Sequence, residues 1–505
     1  METALTELKT YKNMVSPLLN LPTDVLSLIF ETCAESDKDG HVMSLGAVPW
    51  VLSHICRRWR YVSLSYPQLW KVVRIDAYRH HLSNPAMLKA WLARSQPLPL
   101  SCVVRFRLSP RAVGFYEDII DIMDHEGITN LLLGESQRWL DMSFELGDRV
   151  HLYNLIGTTT RPFPLLRYLR VDAKFPPIHR WLIPHTFNAS AFASAPNLVE
   201  VSVDVQEPLP AMTLPWHQLK RYSDCGSTRE ESTFLDLAKL AKLEHFVYKL
   251  HPRSFSNPQP LHLVNLRRLD MFGWPWQTII EILSFLHLPS LEDLFLYFTH
   301  TVSSPDIIIH LIVDLQERSS CRLKRLTLPV NLLTSPVIPQ VVQHFSTVEE
   351  LHLDLTYHAA IWTGSRPQSH PALGNLRSKL FFPRLRALYF VIRSCNDVVI
   401  DEDELFDSIA DIIRERRTPD LFEVQLERLS FDTTPRLPRK PRISANIPGI
   451  RRIIELCSDG LVLIEPVIDG WLCPVHEKAR HWNAEPAYQD AARFGGSTAF
   501  VVNYP

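Results

Sequence analysis

The sequence predicts an α/β protein in which a small all-α segment precedes an irregular solenoid built on a parallel sheet. Three observations point to it. A pattern of the form Leu-x-x-apolar-x-apolar recurs from residue 166 to residue 431. Helix start and stop signals fall between the copies, so strand and helix alternate along the chain. Ahead of the first copy, two stretches near the amino end carry helical spacing instead.

Composition bounds the function classes. A chain of 505 residues exceeds one compact core and suits about three domains or one long array. Apolar residues make up 46%, which rules out global disorder. Basic and acidic residues nearly cancel, 53 against 55, so no basic field exists to hold nucleic acid. No Gly-x-Gly triplet and no phosphate-loop pattern occurs, which removes the common nucleotide-binding loops. The eight cysteines are scattered without a C-x-x-C pair, as expected of a reduced chain in cytoplasm or nucleus. Residues 1–20 hold no continuous apolar run, so no secretory signal is expected. The greasiest helical stretch, Ile307 to Leu315, contains His310 and Asp314 and is far short of the roughly 20 residues a span needs. No membrane partner is expected.

The first domain is placed at residues 15–75. Leu21-Pro22-Thr23-Asp24 opens a helix, because proline tolerates the first turn and Asp24 favours the positive helix end. Leu26, Ile29, Phe30 and Cys33 follow on one stripe. Turn chemistry at residues 36–40 interrupts the chain. A second helix is predicted from Val48 to Ser65, with Val51, Leu52, Ile55, Trp59 and Val62 inward. Tyr66-Pro67-Gln68-Leu69-Trp70 stops it, and residues 71–75 alternate like a strand.

These residues resemble an F-box. The likeness rests on Leu21-Pro22-x-Asp24-Val25-Leu26-x-x-Ile29-Phe30, then Leu52-x-x-Ile55-Cys56-Arg57-Arg58-Trp59-Arg60, then the Pro-x-Leu-Trp at residues 67–70 that the large fungal set carries. The separation from Leu21 to Cys56, 35 residues, is roughly a dozen longer than in the compact form. The resemblance implies a docking surface for a Skp-type adaptor of a cullin ubiquitin ligase. Leu21, Pro22, Val25 and Ile29 would meet the adaptor, while Leu26, Phe30, Leu52, Ile55 and Trp59 would hold the box together. Physical reasoning agrees, since so small a helical unit cannot bury two apolar faces alone.

A connecting segment or first degenerate repeats follow at 76–160, with a helix near Trp91 and a strand from Leu100. The array proper is placed at 161–432. Its copies begin at Leu166, Leu198, Leu219, Leu243, Leu266, Leu291, Leu323, Val348, Leu385 and Leu426, at intervals of 21 to 41 residues. Several intervals match leucine-rich repeats, so an irregular leucine-rich-repeat solenoid is expected. The asparagine ladder of regular repeats is largely missing. Helices are expected near 278–286, 305–315, 339–345 and 402–417. Side chains alternate along a strand, which sends Arg268, Asp270, Arg325, His352 and Asp354 to the face opposite the apolar positions. Phe272, Phe295, Tyr297 and Tyr389 share that face and are the candidate client-binding residues. Residues 433–505 lack repeats and are expected to form a cap or tail.

Enzyme signals are weak. No G-x-S-x-G and no H-E-x-x-H occurs. Cys457, Cys473, His476 and His481 lack a second close pair, so no metal is expected. The basic run at 435–442 reads as a solvated loop. The expected function is therefore non-catalytic, without cofactor: a substrate receptor that brings an unidentified protein client to the adaptor and cullin for ubiquitination. The alternative is a repeat scaffold without ligase function.

Overall fold

The structure is a computed structural model. It describes residues 21–37, 40–76, 85–106, 126–146, 161–173, 190–205, 213–225, 239–250, 259–273, 276–298, 305–330, 333, 338–355, 371–393, 402–419, 421–422, 424–434 and 448–463. The chain divides into two compact units, at Pro215 and Trp216. Both are α/β, and every strand pair described is parallel.

The first unit opens with α1 (Thr23–Ser36), α2 (Val48–Ile55) and α3 (Arg57–Ser65). The single helix expected from Val48 to Ser65 is thus two. Cys56 sits between them with extended backbone (φ −155°, ψ 169°), and its Sγ accepts the Trp59 amide at 3.4 Å to start α3. A 3-10 turn over Pro67–Trp70 leads into β1 (Val72–Asp76). Then come α4 (Pro85–Arg94), β2 (Leu100–Phe106), α5 (Glu126–Gly134), β3 (Trp139–Leu146), β4 (Tyr168–Ala173) and β5 (Glu200–Val205). Strands β1 to β5 pair in chain order, each parallel to the last.

The array therefore starts earlier than Leu166. Trp70 and Trp139 stand where later copies have leucine, and both are buried. The Trp70, Trp50 and Trp91 rings pack edge to face, with centroids 4.9 to 5.9 Å apart. Arg94 lies over two of them, at 4.4 and 4.6 Å. Each indole N–H is used: Trp50 on Val42 O, Trp70 on Ser63 O and Trp91 on Val72 O. The boundary expected at residue 75 passes through this packed core.

The second unit holds β6 (Arg221–Asp224), β7 (His245–Leu250), β8 (Leu261–His262) and β9 (Arg268–Gly273), followed by α6 (Trp276–Phe285). Next are β10 (Leu286–His287), β11 (Asp293–Phe298), α7 (Pro305–Ser319), β12 (Arg325–Pro329), α8 (Ile338–His344) and β13 (Glu350–Asp354). The unit ends with α9 (Pro371–Asn375), β14 (Ala387–Arg393), α10 (Glu402–Arg416), β15 (Arg428–Thr434), α11 (Pro448–Ser458) and β16 (Val462–Leu463). Within the unit the sheet order is β6-β7-β9-β11-β12-β13-β14-β15-β16, while β8 and β10 form a separate pair. Strand β16 corrects the expectation that nothing repeat-like follows residue 433. The register Leu429↔Leu463 puts Gly460, with φ +90°, where earlier copies have leucine, and this hides the copy.

Three devices hold neighbouring copies together. In most copies the amide of the first apolar residue closes a tight turn on the carbonyl three residues back, as Leu266 does on Leu263 and Leu291 on Leu288. A polar residue just ahead of that leucine reaches the previous copy: Asn197 to Pro164 O, Asn265 to Ala241 O, Ser290 to Val264 O and Thr347 to Leu323 O, at 2.6 to 2.7 Å. At the helical ends, arginines satisfy C-terminal carbonyls of a preceding helix. Arg161 bonds Leu133 O of α5 and Arg318 bonds Leu283 O of α6, while Arg416 bonds Leu376 O just past the end of α9.

In the second unit, from Leu219 to Leu426, the residue after the first apolar position of each copy adds a fourth feature. Lys220, Glu244, Arg267, Glu292, Lys324, Glu349, Arg386 and Glu427 alternate in sign without a break. Each backbone amide in this row after Lys220 bonds the carbonyl of its predecessor at 2.7 to 2.9 Å. Side-chain pairs close at Lys220–Glu244, Lys324–Glu292 and Arg386–Glu427.

Candidate partner-docking faces

In the first unit, the Leu26 amide bonds Pro22 O at 3.0 Å and starts α1. The Arg58 guanidinium donates to Leu21 O, which ties the two halves of the amino-terminal motif together. Leu26, Phe30 and Leu52 are buried as expected, and the half-buried Trp59 packs against Phe30 at a tilt of 58° with centroids 5.0 Å apart. Ile55 is a correction. It was expected in this core but is 52% exposed. A continuous helix puts Ile55 on the stripe of Leu52 and Trp59; the break at Cys56 uncouples the two phases.

The other side of α1 is apolar and bare. Val25 is 36% exposed and Ile29 37%, and Leu28 beside them more so. Pro22 is exposed and Leu21 half-buried. On α2, Val51 and Ile55 share an exposed face at i, i+4. Leu28 belonged to no predicted stripe, and Val51 was expected inward. Their signal lay in the apolar residues left over once each helix had filled its core face.

In the second unit, strand register sorts the candidate client residues into rows. One row runs Asp270, Phe295, Thr327, His352, Tyr389, Ser430 across β9 to β15. Phe295 is not the exposed anchor expected: it is only 8% exposed. Arg268 covers its ring at 4.2 Å, and His352 meets it edge-on at 5.4 Å, across the small Thr327 between them. His352 stacks flat on Tyr389 at 4.0 Å. Phe272 and Tyr297 lie opposite one another in register and are half-buried, as is Tyr389.

The neighbouring row is ionic. Arg325 grips Asp293 through two nitrogens, and Arg268 and His245 both reach across to Asp270 of the aromatic row at 2.9 to 3.0 Å. Arg428 reaches Glu350 at 2.6 Å over the intervening Ala387, which is too small to block it. Burial disfavours the Asp270 carboxylate, but Arg268 and His245 outweigh that and hold it below its usual range. Burial, with Arg268 and Arg325 close by, holds the His352 imidazole well below its ordinary value against the pull of Asp270. The imidazole is thus neutral, and the face is a mesh of opposed charges around a stacked aromatic row.

Among the described residues no group of three or more His, Cys, Asp or Glu is placed to hold a metal ion. No described helix is long and apolar enough to cross a membrane. Cys473, His476, His481 and the basic run at 435–442 lie outside the described residues. Compared with models of known protein families the chain matches none, and no curated protein is significantly similar to it.

Proposed function

We propose that this protein is the substrate-receptor subunit of a Skp–cullin–F-box ubiquitin ligase, with α1–α3 as the F-box and the later strands as irregular leucine-rich repeats. The observation that carries the reading is the apolar stripe of Val25, Leu28 and Ile29, bare on a helix that begins Leu-Pro-x-Asp. Its opposite face already fills the local core, so the stripe has no partner within that core, and an adaptor helix would bury it. The Pro-x-Leu-Trp at residues 67–70 fits the same family. The chain itself supplies no chemistry in this scheme. It raises the local concentration of client lysines near the charged conjugating enzyme, the client being held on the sheet of the second unit. Tyr389, Phe272 and Tyr297 offer that sheet's accessible aromatic surface, while Phe295 braces His352, on which Tyr389 stacks.

Capture of a purified Skp-type adaptor tests the reading. Val25→Asp with Ile29→Asp places two charges on the stripe at exposed positions, so the fold persists, checked by circular dichroism. Adaptor affinity should fall about a hundredfold or more. Undiminished capture by the folded double variant overturns the docking surface, and no capture by the unaltered chain leaves the repeat scaffold without ligase function.

A further inference from the structure

The extra length between the two halves of the amino-terminal motif has a structural use. Residues 40–47 run from the end of α1 to the start of α2 along the open side of β1. The Val42 amide donates to Arg74 O at 2.9 Å, as a neighbouring strand would. Where a strand would place its next amide, His41 does the work instead: its Nε2–H donates to Asp76 O at 2.8 Å. Its Nδ1 accepts the Met43 amide at 3.0 Å, which fixes the tautomer. The Val42 carbonyl takes the Trp50 indole of α2 at 2.9 Å, so one residue is bonded to sheet and helix together. Arg74 reaches back from β1 to Asp37 O, and the Asp37 carboxylate caps α2 through the Val48 amide at 3.0 Å. Gly40 leaves room for that carboxylate, since a Cβ there would lie 2.3 Å from its Oδ2. His41, Val42 and Met43 are all buried.

We propose that this segment is a rigid joint, latched by His41, that closes the edge of β1 and sets the orientation of α1–α3 on the sheet of the first unit. An exposed strand edge is a pairing hazard, and a bonded strap removes it. Any partner gripping α1 is thereby held at a fixed angle to β1–β5. His41 is a positioning residue in this device.

The test uses the full chain and needs no adaptor, so its outcome is separate from that of the docking reading. His41→Leu removes both bonds of the ring, whereas His41→Gln keeps one donor and one acceptor. In His41→Leu, amide hydrogen exchange at residues 41–47 and 72–76 should quicken about ten- to a hundredfold, with β4 and β5 unchanged. The distance distribution between spin labels at Thr32 and Ser194 should broaden. His41→Gln should stay within about threefold of the unaltered protein. Gly40→Ala, which pushes the Asp37 carboxylate off the Val48 amide, should loosen the same residues and serves if His41→Leu does not fold. Unchanged exchange and distances in these variants overturn the joint, and so does loosening spread evenly over β1–β5.

Discussion

Arg416 offers the sharpest test of how the second unit holds together. It is 1% exposed and faces no carboxylate among its hydrogen-bond partners. Its guanidinium instead bonds the carbonyls of Leu376, Ser378, Phe381 and Phe382, all in the segment that follows α9, and lies 4.7 Å from the Phe422 ring centroid. Burial pushes it down to about 10, still cationic at neutral pH. Arg416→Met keeps the stem and removes every donor. Hydrogen bonds to a charged donor contribute about 1.5–3 kcal/mol each. Against their loss stands the release of a buried charge, which returns several kcal/mol. The net cost is about 2–5 kcal/mol, concentrated on residues 376–385. Because a chain of two units need not unfold in one step, a global melting curve is the wrong readout. Hydrogen exchange at residues 376–385 should instead quicken from about thirtyfold to several thousandfold. Exchange within threefold of the unaltered protein would show that the four carbonyls find other donors, and the reasoning would fail.

The sign-alternating row makes an unusual double-mutant prediction. Glu292→Lys sets a positive charge between Arg267 and Lys324 and should cost about 1 kcal/mol at low salt. Adding Lys324→Glu would rescue an isolated pair, but here it sets a new carboxylate beside Glu349, so amide exchange over β11 and β12 should stay faster than in the unaltered protein; full recovery would reduce the row to separate pairs. Gly449→Ala puts a Cβ 2.3 Å from the Phe406 carbonyl carbon and 2.4 Å from the Asp407 nitrogen. Helix α11 must then shift off α10, straining the Arg452 bonds to Asp407 and Asp411, at about 1–3 kcal/mol read as faster exchange over 448–463. His352 gives a pH dependence. Its folded value lies below the unfolded one, so the unfolded chain takes up more protons and stability falls on acidification below about pH 6.5, by up to about 1.4 kcal/mol per unit. His352→Phe should flatten urea midpoints of the second unit between pH 6.5 and 5; an unchanged slope would place the titration elsewhere. The lowered Asp270 value acts at lower pH, as its stabilisation is lost only below the ordinary carboxylate range.

Strand positions were legible because burial of alternate residues is local. Leu266-x-x-Leu269-x-Met271 and most of its fellows are buried where the pattern puts them. Copies failed to announce themselves where another residue fills the leucine site, as Trp70, Trp139 and Gly460 do. Ile55 was misplaced for a different reason. Its stripe was sound only if the helix ran through Cys56, and a thiol acting as a helix start carries no strong sequence signal. The alternating charges from Lys220 to Glu427 were in plain view, yet they acquire meaning only when each follows a leucine and successive copies are known to be neighbours.

Exposure was the property least available from sequence, and the row through Phe295 explains why. Alternation assigns a side chain to a face, but whether it stays open there depends on residues one and two strands away. Thr327 is small enough for Phe295 and His352 to meet over it, and that contact, with Arg268 above, closes the ring of Phe295. Ala387 likewise lets Arg428 cross a strand to Glu350. A bulky residue at either site would leave the same sequence motifs intact and change what the face presents. Recognition on such a sheet is therefore a property of rows rather than of copies. A test of the proposed client face should vary Thr327 and Ala387, the gaps, as well as the aromatic and charged residues around them.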